Sequence, residues 1–140
     1  MKRTQWMAAG TAVAAVLLLG AARWPQAAVV TVTVSARCAG PNTTQVTVQP
    51  WNVHIRQGDQ LRWVLNANAN SDDIEITPKE TSGWPFASRN PLLGTKELPA
   101  RTPRMLANAR GTYKYNIALT CQSGNNPPDR VVIDPDVIVD

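Results

Sequence analysis

Apolar residues recur at every second position along much of this chain, and that alternation constrains its fold more than any other feature. Period two sends successive side chains to opposite faces of an extended strand, so each run has one buried face and one wetted face. Val30, Val32 and Val34 alternate with threonines and a serine, and Val46 and Val48 alternate with Gln45, Thr47 and Gln49. Trp51, Val53 and Ile55 alternate in turn with Asn52, His54 and Arg56. Gln57-Gly58-Asp59 is a turn signal, and Leu61, Trp63 and Leu65 share a face beyond it, so the two runs read as a hairpin with its tight corner at Gly58. Residues 66–73 have no core face and read as a loop before a short strand at Ile74 and Ile76.

The clearest strand runs from Gly111 to Leu119, with Tyr113, Tyr115, Ile117 and Leu119 on one face and Cys121 at its end. A turn over Gly124 to Pro128 then leads to Val131-Val132-Ile133 and Val137-Ile138-Val139, a final strand or pair broken at Asp134-Pro135-Asp136. Proline has no N–H to give a ladder, so Pro135 marks an edge, bulge or bend. Seven or eight short strands with almost no helical pattern predict an all-β, antiparallel Greek-key β-sandwich.

Between Pro78 and Gly111 the alternation stops, and five of the eleven prolines fall there. So long a stretch in a compact domain packs or functions, and this one is expected to lie on the sandwich with one helical turn or short strand near Met105-Leu106. It is also basic: Lys79, Arg89, Lys96, Arg101, Arg104 and Arg110 outnumber Glu80 and Glu97, a charge able to steer an anionic partner. Trp84-Pro85-Phe86 adds two large aromatics, which form a contact patch if exposed and a cap on the core if buried. Trp84, Phe86, Arg89, Arg101 and Arg104 are therefore the candidate partner-contact residues.

Residues 1–28 read as a secretory signal. Lys2 and Arg3 supply a positive start, Met7 to Ala22 is apolar, and Gly20-Ala21-Ala22 or Gln26-Ala27-Ala28 offers small residues to a signal peptidase. A retained N-terminal anchor is the alternative, although the apolar run falls short of the roughly 20 residues a spanning helix needs. The domain then occupies residues 29–140, with no membrane span after cleavage and a periplasmic or secreted location. Removing Lys2, Arg3 and Arg23 leaves eleven basic against ten acidic residues, so the formal charge of +4 belongs mostly to the leader and gives no support for nucleic-acid binding. In an oxidising compartment the two cysteines, Cys38 and Cys121, are expected to pair, and a metal-binding or nucleophilic Cys121 is the alternative.

Order and spacing resemble the cupredoxins, the plastocyanin- and azurin-type blue-copper proteins. The matching residues are Val53-x-Ile55-x-x-Gly58-Asp59-x-Leu61-x-Trp63 with Asn66 behind, an irregular middle, and the late Gly111-Thr112-Tyr113-x-Tyr115 strand. The resemblance implies copper held by a histidine after the first block, then a cysteine, a second histidine and usually a methionine in and after the second. Carried over, these fall at Asp72 or Asp73, near Ile117 and near Thr120, none of which matches the family's ligand. Cu(I)/Cu(II) cycling suits a thiolate and two imidazoles, and this chain has one histidine, His54, so the type 1 copper site does not carry over and no cofactor is expected.

Two function classes remain at this point. One is a non-catalytic binding or accessory module whose partner is another envelope protein, with docking onto an envelope redox complex as a variant. The other is a metal-binding or electron-transfer protein with a reorganised site, built from His54, Met105 and Cys121 for copper, or from Asp72, Asp73 and Glu75 or Asp129, Asp134 and Asp136 for calcium. No nucleophile-elbow motif is present and His54 has no evident nucleophile partner, so the chain is expected not to be an enzyme.

Overall fold

The computed structural model describes residues 26–38, 44–66, 71–121 and 129–140, with only the backbone of Ser71, Asp72 and Asp129. The expected leader lies outside these residues except for its last three, and the expected turn over 124–128 lies outside them too. Among the described residues ten strands form: β1 (Val29–Cys38), β2 (Thr44–Gln49), β3 (Asn52–Ile55), β4 (Gln60–Leu65), β5 (Ser71–Pro78), β6 (Leu92–Thr95), β7 (Ala100–Arg101), β8 (Gly111–Cys121), β9 (Asp129–Ile133) and β10 (Asp136–Val139). They build one sheet in the order β2-β1-β4-β7 and a second in the order β3-β10-β8-β5-β6, with β9 also on β8.

The alternating residues face one another across these sheets, so the fold is an all-β sandwich. Val32, Val34, Leu61, Trp63 and Leu65 come from the first sheet, and Val53, Ile55, Ile74, Ile76, Tyr115, Ile117, Leu119, Val137 and Val139 from the second. Burying each such side chain is worth about 1.5–3 kcal/mol, which makes this one core the main stabilising term. The Trp63 indole Nε1–H donates to the Tyr115 hydroxyl at 3.2 Å while the rings meet edge to face at 5.5 Å. Both polar ends are thus satisfied inside the apolar layer. Cys38 ends β1 in the first sheet and Cys121 ends β8 in the second, and their disulfide joins the sheets with Cα atoms 5.8 Å apart.

Pairing differs from the sequence reading in two ways. The runs on either side of Gly58 are β3 and β4, which lie in different sheets, so the expected hairpin is an arch from one sheet to the other. Period two says which face is buried and carries no information on which strand lies alongside. Because the chain keeps crossing between sheets, two neighbours end up parallel: β1 with β4 from Val29↔Gln60 to Val34↔Leu65, and β3 with β10. The sheets are therefore mixed instead of purely antiparallel. Trp51, expected on the buried face, precedes β3 and is exposed.

Gly58 has φ 92°, a left-handed conformation that favours glycine, and it turns the corner of this arch. Beside it Asp59 is only 7% exposed, and both its carboxylate oxygens accept main-chain hydrogen bonds, Oδ1 from Ala28 N at 2.8 Å and Oδ2 from Arg56 N at 2.9 Å. Gln60 N donates to the Ala28 carbonyl at 2.9 Å, which extends the β1–β4 ladder one residue before β1.

The Pro78–Gly111 segment does lie on the sandwich, and it contributes β6 to the edge of the second sheet and β7 to the edge of the first. The short strand expected near Met105 is a single antiparallel bridge between Met105 and Phe86. Pro135 interrupts the last strand without shifting it: Ile133 pairs with Ile117 and Asp136 with Lys114 in one continuous register, and Tyr115 N donates to the Pro135 carbonyl at 3.2 Å. The proline costs one donor and leaves the pairing in place.

Candidate functional site

The positions that the resemblance assigns to copper ligands come together on the β5–β8 pair, where Asp73 lies opposite Thr120 and Ile76 opposite Ile117. Ile117 is fully buried, and a hydrocarbon side chain offers a metal no lone pair. Cys121, the thiol nearest in sequence, is bonded to Cys38. His54 lies on β3 at the far edge, opposite Ile138, which is itself opposite Thr112. From the level of Thr112 to Cys121 is nine residues of extended β8, roughly 30 Å at about 3.3 Å per residue. Met105 Sδ accepts a hydrogen bond from Gly58 N at 3.4 Å, beside the arch. His54 and Cys121 thus stand at opposite ends of the second sheet, so among the described residues these two are not brought together as a copper site would need.

Three of the candidate carboxylates are answered by cations. Lys79 pairs with Asp134, Lys114 Nζ is 3.3 Å from Asp136, and Arg130 is 3.5 Å from Glu75. A carboxylate neutralised by a neighbouring ammonium or guanidinium is a poor calcium ligand, and the side chains of Asp72 and Asp129 lie outside the described residues. Among the described residues no three His, Cys, Asp or Glu side chains cluster as a metal site requires. The His54 imidazole is well exposed and meets the Asp140 carboxylate at 3.3 Å.

Trp84 and Phe86 do not form a surface patch. They are 6% and 2% exposed, they meet edge to face at 5.2 Å, and Trp84 tilts over Tyr115 at 6.3 Å. Together with Trp63 they continue the aromatic interior from between the sheets to beneath the long loop. Backbone bonds pin them there, Ala87 N to Arg104 O at 2.9 Å and Leu106 N to Pro85 O at 2.7 Å. With no periodicity in that stretch, composition could not tell cap from patch. Burial raises the Tyr115 phenol to about 12, the Trp63 hydrogen bond partly offsetting that and Asp136 adding to it.

The three arginines fare differently. All are exposed, and Arg89 donates to the carbonyls of Lys79 at 3.0 Å and Ser82 at 3.3 Å, which gives it a strapping role within the loop. Arg101 lies on β7 opposite Arg62, and Arg104 follows three residues on. The residues missed from sequence are Leu93 and Leu98, each 69% exposed. They flank the turn from β6 to β7, where Thr95 N donates to Leu98 O at 2.7 Å and Leu98 N to Thr95 Oγ1 at 3.1 Å. Gly94 lets these edges approach: a Cβ there would sit 2.6 Å from Ala100 N. The turn is therefore held in shape while two leucines, Lys96 and Arg101 face water. The available signal was a leucine set between Glu97 and Pro99, outside any alternating run.

No protein-family model matches the chain, and no curated protein matches it. Solved structures similar to it include a methionine-to-glutamine variant of amicyanin in its Cu(I) form, 15% identical over 83% of this chain and 95% of that one, with a TM-score of 0.43. A methionine-to-alanine variant of amicyanin, also in the Cu(I) form, is 16% identical over 77% of this chain and 80% of its own, with a TM-score of 0.40. A cysteine protease inhibitor from Entamoeba histolytica is 11% identical over 84% of this chain and 100% of its own, with a TM-score of 0.39. At this level of similarity neither copper binding nor protease inhibition transfers.

Proposed function

We propose that this chain is an exported, non-catalytic binding or accessory module of cupredoxin-like pattern without type 1 copper, which contacts another envelope protein through the β6–β7 edge. The observation that carries the contact surface is the pair Leu93 and Leu98, two-thirds exposed on a turn braced by Thr95 and by the close approach at Gly94. Large apolar side chains held rigidly in water, with cations at Lys96, Arg101 and Arg104 on the same stretch, fit the anatomy of a contact site: an apolar centre and a charged rim. Rigidity lowers the ordering cost of binding. Export is supported by the Cys38–Cys121 disulfide together with the leader-like start of the sequence.

The non-enzymatic part of the reading is supported by His54, whose described contact is the Asp140 carboxylate at an exposed edge and not a nucleophile. A photo-crosslinking residue placed at Leu98, and as a control at the exposed Gln45 on the opposite edge strand β2, tests the surface in intact envelopes. A discrete adduct from position 98, absent from position 45 and lost on Arg101→Glu, is the expected result. Equal labelling from both positions, or none from 98, refutes it.

A further inference from the structure

The strands of the first sheet carry cations and no acid. β1, β2, β4 and β7 contribute Arg37, Arg62 and Arg101 and not one aspartate or glutamate, although the chain has 10 acidic residues. The ion pairs His54–Asp140, Lys79–Asp134, Lys114–Asp136 and Arg130–Glu75 all lie on the second sheet or in the residues flanking its strands. Residues 1–25, 39–43, 67–70 and 122–128 contain no acidic residue, and Asp72 and Asp129 belong to β5 and β9 of the second sheet. The first sheet therefore has no counter-charge of its own.

Register brings two of its arginines together. Arg62 lies opposite Thr31 on β1 and opposite Arg101 on β7, so a hydroxyl and two guanidinium side chains form one row across three strands. Leu61, Trp63 and Ala100, their neighbours along the chain, are buried in the core, which puts the arginines on the outer face. Directly opposed residues have Cβ atoms about 4.5–5.5 Å apart, and like charges at that spacing repel. Arg62 Nη2 donates to Thr31 Oγ1 at 2.9 Å, whereas the Arg62 Nε–H is buried without an acceptor. Neither guanidinium has a carboxylate partner among the described residues.

We propose that Arg62 and Arg101 bind a phosphate group on the outer face of the first sheet. Two opposed cations call for close to two negative charges, and a phosphate monoester carries about −1.5 to −2 at neutral pH. Its oxygens match the fork of a guanidinium, and a single carboxylate would neutralise only one of the pair. Thr31 holds the Arg62 head group in place, which lowers the ordering cost of binding. Arg62 plays no part in the β6–β7 contact, so this site stands or falls separately from it.

The test titrates the purified exported protein with inorganic phosphate against sodium chloride at matched ionic strength, read by calorimetry and by the thermal melt. Phosphate is expected to bind at one site and, at about five times its Kd, to raise the melt by about 4 °C beyond chloride. Arg62→Gln and Arg101→Gln should each weaken binding by about tenfold or more, as loss of a charge-assisted hydrogen bond does. If Arg62→Gln does not fold, Arg101→Gln, at an exposed residue, carries the same test. Arg37→Gln, six residues along β1 from Thr31 and so roughly 20 Å away, should leave binding unchanged. A sugar phosphate monoester titrated in the same way tells the sources apart. Binding as tight as that of inorganic phosphate assigns the site to phosphate carried on a larger molecule, and binding of the inorganic ion alone assigns it to free phosphate. No saturable binding of either, equal stabilisation by chloride, or a loss on Arg37→Gln equal to that on Arg62→Gln overturns the proposal.

Discussion

Replacing Phe86 by alanine separates a core cap from a contact patch by an order of magnitude. Phe86 is 2% exposed, packs edge to face on Trp84 at 5.2 Å, and its backbone bridges to Met105. Truncating a buried phenylalanine removes its transfer free energy and leaves a cavity, together about 3–5 kcal/mol. A domain of this size has roughly 5–15 kcal/mol in total, so Phe86→Ala should remove roughly a fifth or more of its stability. Tryptophan fluorescence in a urea titration reads this directly. With a slope of about 2 kcal/mol/M the midpoint should fall by about 2 M. Leu98→Ser, at a residue 69% exposed, should change stability by no more than about 0.5 kcal/mol, a midpoint shift of about 0.25 M. If Phe86→Ala proves too unstable to purify, Phe86→Leu should still lose roughly 1 kcal/mol. A Phe86→Ala midpoint within about 0.3 M of the parent would refute the burial argument and return the aromatic pair to the surface.

Three further outcomes follow from the same geometry. Replacing Cys38 and Cys121 together by serine should cost about 4.5 kcal/mol in the chain-entropy model for a separation of 83 residues, read as a lower urea midpoint that matches the reduced parent; an unchanged midpoint would contradict the inter-sheet staple. Gly94→Ala should cost about 1–3 kcal/mol, because its Cβ would meet Ala100 N at 2.6 Å, and it should also weaken crosslinking from Leu98; a neutral melt would mean that the two edges stand further apart than this. The Tyr115 phenol, ordinarily near 10 and pushed up to about 12, must stay neutral in the folded state, so its contribution is fully present below pH 10 and lost as pH rises toward 12, about 2–3 kcal/mol in all. Tyr115→Phe should flatten that alkaline loss in a stability-versus-pH series, and an unchanged loss would assign it elsewhere.

Burial was legible in the sequence and adjacency was not. The alternation of Val32 and Val34, of Leu61, Trp63 and Leu65, and of Tyr115, Ile117 and Leu119 named the core because a pleated strand with one wet face has no other way to satisfy that pattern. The same alternation at Val53, Ile55 and Leu61 could not reveal that β3 and β4 belong to different sheets, since an arch and a hairpin bury the same residues. Cys38 and Cys121 were readable as a pair because only two cysteines exist, whereas Trp84 and Phe86 lay in a stretch with no period to assign a face. Leu93 and Leu98 were overlooked because single leucines beside prolines carry no pattern, and their exposure depends on how closely β6 and β7 approach at Gly94.

Free-thiol counting with intact mass on the purified exported protein, alongside elemental analysis and a visible spectrum after adding Cu(II), tests the central claim most directly. A binding module with its sheets joined through Cys38 and Cys121 predicts no free thiol, no stoichiometric copper and no intense visible band. One free thiol at Cys121 with one equivalent of copper and a strong visible band would contradict it and make electron transfer the function to pursue.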